Sequence, residues 1–165
     1  MLDNKACLKY YKVSYINFRE MFDVNLNSNE LKHKSTSLGS FSVESENRKI
    51  VSAKHGGPKG EMNYILVNIT GTIDLLTSTE FQAYLLPFIE KGNKFFVLDF
   101  TKLDFIDSMG LSTIIMLYQK VNESGGRIVI INPKPSIMVV FKVTKLNQRI
   151  SIFGNIEEAS AFLAG

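Results

Sequence analysis

Val97-Leu98-Asp99-Phe100, followed by Asp104-Phe105-Ile106-Asp107-Ser108-Met109-Gly110-Leu111, reads as a strand that runs through an acidic loop into the first turn of a helix. The nearly unbroken apolar run from Phe95 to Phe100 is the pattern of a strand covered on both faces. Asp107 and Ser108 then stand where a helix begins, and both residue types are preferred caps. Backbone N–H groups at that end have no intrahelical partner and carry the positive end of the helix dipole, so a phosphate on Ser108 would be partly stabilised there. From these residues alone, Ser108 is either a structural cap or a phosphoacceptor.

Downstream, Leu111, Ile114, Ile115, Tyr118 and Val121 form the expected inward stripe of this helix, which should end at Ser124-Gly125-Gly126 with a left-handed glycine cap. Arg127-Ile128-Val129-Ile130-Ile131 follows as a buried strand, then a helix started by Pro135 with Ile137, Val140 and Phe141 on one face. A strand over 150–153 and a last helix capped by Asn155, with Glu157 and Glu158 in its first turn, complete the pattern. Upstream, residues 50–53 suggest a short strand, and Tyr64-Ile65-Leu66-Val67-Asn68-Ile69 a β-branched one ended by Gly71. Thr77-Ser78-Thr79-Glu80 fits a capping box ahead of the apolar stripe Phe81, Leu85, Phe88 and Ile89. Pro87 is expected to kink that helix or end it near Leu86, because proline lacks a backbone donor and clashes with the preceding turn. Strands alternating with helices imply an α/β domain with substantial parallel pairing and helix cover.

The first part of the chain has a different texture. Residues 25–45 are dominated by Asn, Ser, Thr, Lys and Glu with isolated Leu26, Leu31, Leu38 and Phe41, which reads as a linker or mobile arm. Ahead of it, residues 8–18 are aromatic and apolar enough to dock on something, either their own domain or a partner. His33, His55 and the stretch Gly56-Gly57-Pro58-Lys59-Gly60 read as loop. The expected organisation is an N-terminal extension over 1–45, partly flexible, and one domain over 46–165.

Composition narrows the function. Residues 1–60 hold ten Lys or Arg against six Asp or Glu, while residues 61–165 hold nine against ten, so the net charge of +3 comes from the first part and forms no concentrated stripe for nucleic acid. Cys7 is the single cysteine, which rules out an internal disulfide or a thiolate cluster and fits a reducing cytoplasm. No apolar run reaches the roughly 18 residues of a membrane span, and the first residues lack a signal peptide's apolar core. Neither membrane insertion nor export is expected.

Catalysis is not expected either. Both histidines lie in the polar N-terminal region, so Ser108 has no base in its own domain, and it lacks the Gly-x-Ser-x-Gly elbow. Gly57-Pro58-Lys59-Gly60 has neither the spacing nor the following Ser or Thr of a phosphate-binding loop. The carboxylates Asp74, Asp99, Asp104 and Asp107 could in principle hold Mg²⁺, but the candidate first strands end in Lys54-His55 and Thr70-Gly71 without an acidic pair. Asp104 and Asp107 therefore read as loop and cap residues and Asp99 as a strand-end acceptor; no metal and no cofactor are expected.

Asp104-Phe105-Ile106-Asp107-Ser108-Met109-Gly110-Leu111 resembles the signature of the STAS domain, in particular of the bacterial anti-sigma factor antagonists. The similarity continues upstream at Thr70-Gly71-Thr72-Ile73-Asp74 and downstream at Pro135-Ser136-Ile137 with Phe141, Thr144 and Leu146. Met109 departs from it, since the family usually has a second serine or threonine there.

The resemblance implies a single STAS-like domain, with a mixed sheet of about four to five strands and helices mainly on one face. It also implies that Ser108 is phosphorylated by a partner that is both anti-sigma factor and serine kinase. Asp74, Asp104, Asp107, Ser108, Met109, Gly110 and Leu111 would form the partner-binding face, and there is room for a serine phosphatase as a further partner. Docking would displace a sigma factor and so regulate transcription; phosphate would add about −1.5 to −2 charges and weaken the complex. The alternative within the same fold is a non-switching scaffold or transporter-associated subunit.

Overall fold

The computed structural model describes residues 34–38, 41–51 and 61–165. Their elements run β1 (Lys34–Leu38), β2 (Phe41–Val51), β3 (Glu61–Ile73), α1 (Ser78–Glu90), β4 (Phe95–Ile106), α2 (Ser108–Glu123), β5 (Arg127–Ile131), α3 (Pro135–Val143), a 3₁₀ turn (Leu146–Gln148), β6 (Ser151–Phe153) and α4 (Ile156–Ala164). The strands form one sheet in sequence order. β1, β2 and β3 are antiparallel neighbours, whereas β3 to β6 are all parallel, each joined to the next through a helix. The mixed α/β sheet is as the sequence implies, but it has six strands instead of four or five.

Strand periodicity divides the side chains between two layers. On one face Val43, Ile65, Val67, Ile69, Phe96, Leu98 and Phe100 are buried under α1, α2 and α3. Phe81 of α1 meets Phe41 edge to face at 6.4 Å, and Phe141 of α3 meets Phe100 at 6.1 Å. Such pairs add about 0.5–1.5 kcal/mol to the burial of the rings themselves. On the other face Tyr64, Leu66, Val97, Val129 and Ile131 pack with Ala159 and Leu163 of α4. Three helices thus lie on one side and one on the other, in line with the expected bias.

Three local readings change. Residues 34–38 and 41–45 are strand, not linker. Phe41-Ser42-Val43-Glu44-Ser45 alternates with period two; Phe41 and Val43 are fully buried, and the Ser45 hydroxyl accepts a 2.7 Å hydrogen bond from Tyr84 of α1. The rest of the proposed linker, the aromatic stretch at 8–18, His33, His55 and residues 56–60 lie outside the described residues, as do 52–53 of the first expected strand.

The second change is at Pro87, where α1 continues to Glu90. Proline withholds its own N–H from the ladder, but its carbonyl still accepts from Lys91 N–H at 3.1 Å, so the last turn is kept. The third concerns α2, which turns Leu111, Ile114, Leu117 and Val121 inward and leaves Ile115 and Tyr118 half-buried at its flanks. Leu117, three residues after Ile114 and four before Val121, lies on the buried stripe with them. The glycine end of α2 and the Asn155 cap of α4 form as expected: Gly125 adopts φ +72°, and Asn155 Oδ1 accepts from Glu158 N–H at 2.8 Å.

Candidate functional site

The parallel strands β3 and β4 deliver two loops to the same end of the sheet. Near that end their pairing shifts register between Asn68 and Thr70 and again between Gly71 and Thr72, and Gly71 takes φ +90°, a conformation open to glycine at little cost. The shifts bring Thr72 beside Phe105 and Ile73 beside Ile106. The turn carrying Asp74, Leu75 and Leu76 therefore lies against the loop carrying Asp107 and Ser108.

Two aspartates hold these loops. Asp74 Oδ1 accepts from Leu76 N–H at 2.9 Å and Thr77 N–H at 3.1 Å, and its carboxylate also receives the Thr77 and Thr72 hydroxyls. The expected capping box at Thr77 is not formed, because the Thr77 hydroxyl is spent on the turn, accepting from Asp74 N–H and facing the Thr72 carbonyl at 2.8 Å. Thr77 N–H foremost, with Leu76 N–H and the two hydroxyls, holds the Asp74 carboxyl below the usual carboxylate range against a smaller opposing effect of burial.

Asp107 is the N-cap of α2: its Oδ1 accepts from Gly110 N–H at 2.8 Å, while Oδ2 reaches across to Leu75 N–H at 3.1 Å. Its own N–H donates to the Ile73 carbonyl at 3.1 Å, so one residue ties both loops together. Ser108 is consequently the first helical residue and not the cap, and it is exposed. Leu111 N–H donates to the Asp107 carbonyl, which leaves the N–H groups of Ser108 and Met109 as the open donors of this first turn.

The expected partner-binding residues divide by exposure. Ser108, Met109 and Asp104 are at the surface, with Asp74 and Asp107 partly so. Gly110 and Leu111 are buried, so they shape the site from beneath. An added Cβ on Gly110 would fall 2.3 Å from the Ile73 carbonyl oxygen, and this close approach of α2 to β3 is what sets Ser108 at the rim. Asp104 pairs with Lys134 at 2.5 Å, an exposed contact worth at most about 1 kcal/mol. Asp99 accepts from Thr101 N–H and the Thr101 hydroxyl; it lies within β4 at the last residue paired with β5, apart from the loops.

Three more residues of these two loops belong with the site. Leu75 (64% exposed), Leu76 (76%) and Phe105 (53%) are, with Met109 (46%), large apolar side chains in solvent on the two loops that meet at Asp107. The signal available for them was a Leu-Leu pair inside a turn, where a polar residue would be the ordinary choice. Apolar surface gathered in one place marks interaction more often than scattered exposed residues do. The arrangement presents an exposed hydroxyl with exposed apolar side chains on the loops beside it.

Comparison with known proteins bears on the fold and the family. The STAS domain family model matches residues 57–159. A Bordetella bronchiseptica protein named "Putative anti-sigma factor antagonist BtrV" is 27% identical over 99 residues, 59% of this chain and 83% of its own length. Among solved structures, an anti-sigma factor antagonist of Thermotoga maritima described in the same guarded terms superposes with a TM-score of 0.60 at 20% identity, covering 62% of this chain and 88% of its own. An anti-sigma factor antagonist from Mycobacterium paratuberculosis gives 0.57 at 18% identity, covering 73% and 96%. These two likenesses concern the fold. With the matched segment spanning the parallel strands, α1 to α3 and both site loops, the chain belongs to the STAS domain family.

Proposed function

We propose that this protein is an anti-sigma factor antagonist: a binding module, not a catalyst, whose exposed apolar face beside Ser108 docks on an anti-sigma factor that is also a serine kinase. The observation that carries the reading is the exposed position of Ser108 at the first turn of α2, with exposed Leu75, Leu76, Phe105 and Met109 on the two loops that Asp107 ties together. The apolar side chains supply affinity, and the hydroxyl beside them supplies a point of control. Phosphate on Ser108 adds about −1.5 to −2 charges beside Asp107 and Asp74, so the face that was apolar must be desolvated against repulsion when the partner binds. A penalty of about 3 kcal/mol would lower affinity roughly a hundredfold. Met109 in place of a second hydroxyl leaves Ser108 as the acceptor in this turn and extends the apolar surface.

The test uses the purified chain, MgATP and each serine kinase of the anti-sigma type encoded in the same genome. Mass spectrometry should find phosphate on Ser108, and calorimetry should find Ser108→Ala binding like wild type and Ser108→Asp about a hundredfold weaker. Equal binding by the two variants, with no phosphate on Ser108, would sink the switch.

A further inference from the structure

Parallel pairing gives the domain two distinct ends. β3 to β6 all finish at the end that carries Asp74, Asp107 and Ser108, and α1, α2 and α3 each run back from it to the start of the next strand. Charge is divided between these ends. Residues 61–165 hold nine Lys or Arg and ten Asp or Glu. Seven of the nine cations lie at the end away from Ser108: Lys91, Lys94 and Arg127 flank the starts of β4 and β5, Lys120 and Lys142 occupy the last turns of α2 and α3, and Lys145 and Arg149 bracket the 3₁₀ turn. Only Glu61, Glu90 and Glu123 of the ten carboxylates are there, whereas the other seven share the Ser108 end with Lys102 and Lys134. On β2, Arg48 and Lys49 stand opposite Tyr64 and Asn63 of β3, which adds two cations to the basic end, with Glu46 bonded to Arg48. All nine of these cations are exposed.

Lys120 and Lys142 answer the negative end of a helix dipole, the ordinary reason for a cation in a last turn. Lys94, Arg127, Lys145 and Arg149 lie outside the α-helices and have no such reason. Two large apolar side chains stand in solvent at the same end: Val143, the last residue of α3, is 78% exposed, and Phe162, near the end of α4, is 41% exposed with the Arg127 guanidinium 5.3 Å from its ring centre. We propose that this end of the domain rests on the surface of a bilayer containing anionic lipids. Charge complementarity selects that surface. The cations are spread over the edge of the sheet from β2 to β6, about 19 Å at the usual strand spacing, and such a plane meets many headgroups at once, where nucleic acid is bound by a concentrated stripe. Val143 and Phe162 would enter the boundary between headgroups and acyl chains and add to the attraction. The acidic end is repelled by the same surface, so the Ser108 face points away from the bilayer and stays open to a protein. Lipid binding goes beyond the proposed function and does not depend on it.

Co-sedimentation of the full chain with vesicles tests it, one set of phosphatidylcholine alone and one with about 30% phosphatidylserine. The chain should bind the anionic vesicles and not the neutral ones, and about 1 M NaCl, where the Debye length is about 3 Å, should release it. Lys145→Glu and Arg149→Glu should each weaken binding about tenfold, whereas Lys102→Glu, the same change in net charge at the other end, should stay within about twofold of wild type. All three side chains are exposed, so the variants should keep the wild-type circular dichroism spectrum and melt. Residues 1–60 also carry an excess of cations, and binding through them would leave Lys145→Glu and Arg149→Glu like wild type. That result would overturn the proposal, as would equal binding to both vesicles, binding to neither, a loss in Lys102→Glu as large as in Arg149→Glu, or a DNA duplex bound at a salt concentration where the anionic vesicles are not.

Discussion

Replacing Gly110 with alanine would put a Cβ 2.3 Å from the Ile73 carbonyl oxygen, 2.8 Å from Ile106 Cγ1 and 2.9 Å from Ile73 Cγ2. The first contact is about 1 Å inside ordinary van der Waals distance, and its partner is backbone, which cannot rotate away. Either α2 lifts from the sheet or the end of β3 moves, and overpacking of this kind costs about 1–3 kcal/mol. Both movements also strain the bonds that Asp107 makes to the Ile73 carbonyl and to Gly110 N–H, at about 1 kcal/mol for the pair. Alanine's better helix propensity returns up to about 1 kcal/mol. The net expectation is a loss of about 1–4 kcal/mol, or roughly 3–12 °C in Tm for a chain of this length. Urea denaturation with an unchanged slope measures it directly. Gly154→Ala, where the added Cβ meets nothing within 4 Å, is the control and should lie within about 0.5 kcal/mol of wild type. If Gly110→Ala matches that control, the close approach of α2 to β3 does not set the site.

Asp107→Ala removes the acceptor of Gly110 N–H and Leu75 N–H together, so denaturation should show a loss of about 1–2 kcal/mol, with faster hydrogen exchange at the Leu75 amide. Asp74 is held below the usual carboxylate range in the folded chain, so its stabilising effect is complete above the unfolded value near pH 4 and fades as pH falls through the lower folded value. The Tm difference between wild type and Asp74→Asn should accordingly shrink on going from pH 7 to pH 2.5; a constant gap would contradict the hydrogen-bond account. Deleting residues 1–45 takes away β1 and the start of β2, including fully buried Phe41 and Val43, and should cost at least about 3 kcal/mol. An unaltered thermal melt of that truncation would show that β2 contributes nothing to the core.

How much of the fold was readable depends on whether a segment's signal is local. The apolar runs of β4 and β5 and the caps at Gly125 and Asn155 were readable because propensity, pattern and burial agree there. Phe41-Ser42-Val43-Glu44-Ser45 was not, since its two apolar residues look isolated among polar ones until β3 supplies a partner and Tyr84 satisfies Ser45. Pro87 carries a breaker's local signal, yet α1 keeps it inside the helix with its carbonyl bonded to Lys91 N–H, a bond that no local signal announces. At the site, Ser108 and Asp107 could be named from their motif, but the division of labour between them, cap and exposed neighbour, is a matter of backbone geometry.

The sequence by itself determined the alternation of strands and helices, the acidic loop leading into α2, and the lone hydroxyl opening that helix, because period, cap chemistry and motif are written within a few consecutive residues. Only the tertiary structure decided what surrounds that hydroxyl. The parallel register of β3 and β4 brings Leu75 and Leu76 to Asp107 across 32 and 31 positions of chain, and Gly110 turns inward where the sequence suggested contact with a partner. Those relations are set by strand pairing and close packing between distant segments, for which a single sequence carries no local signal.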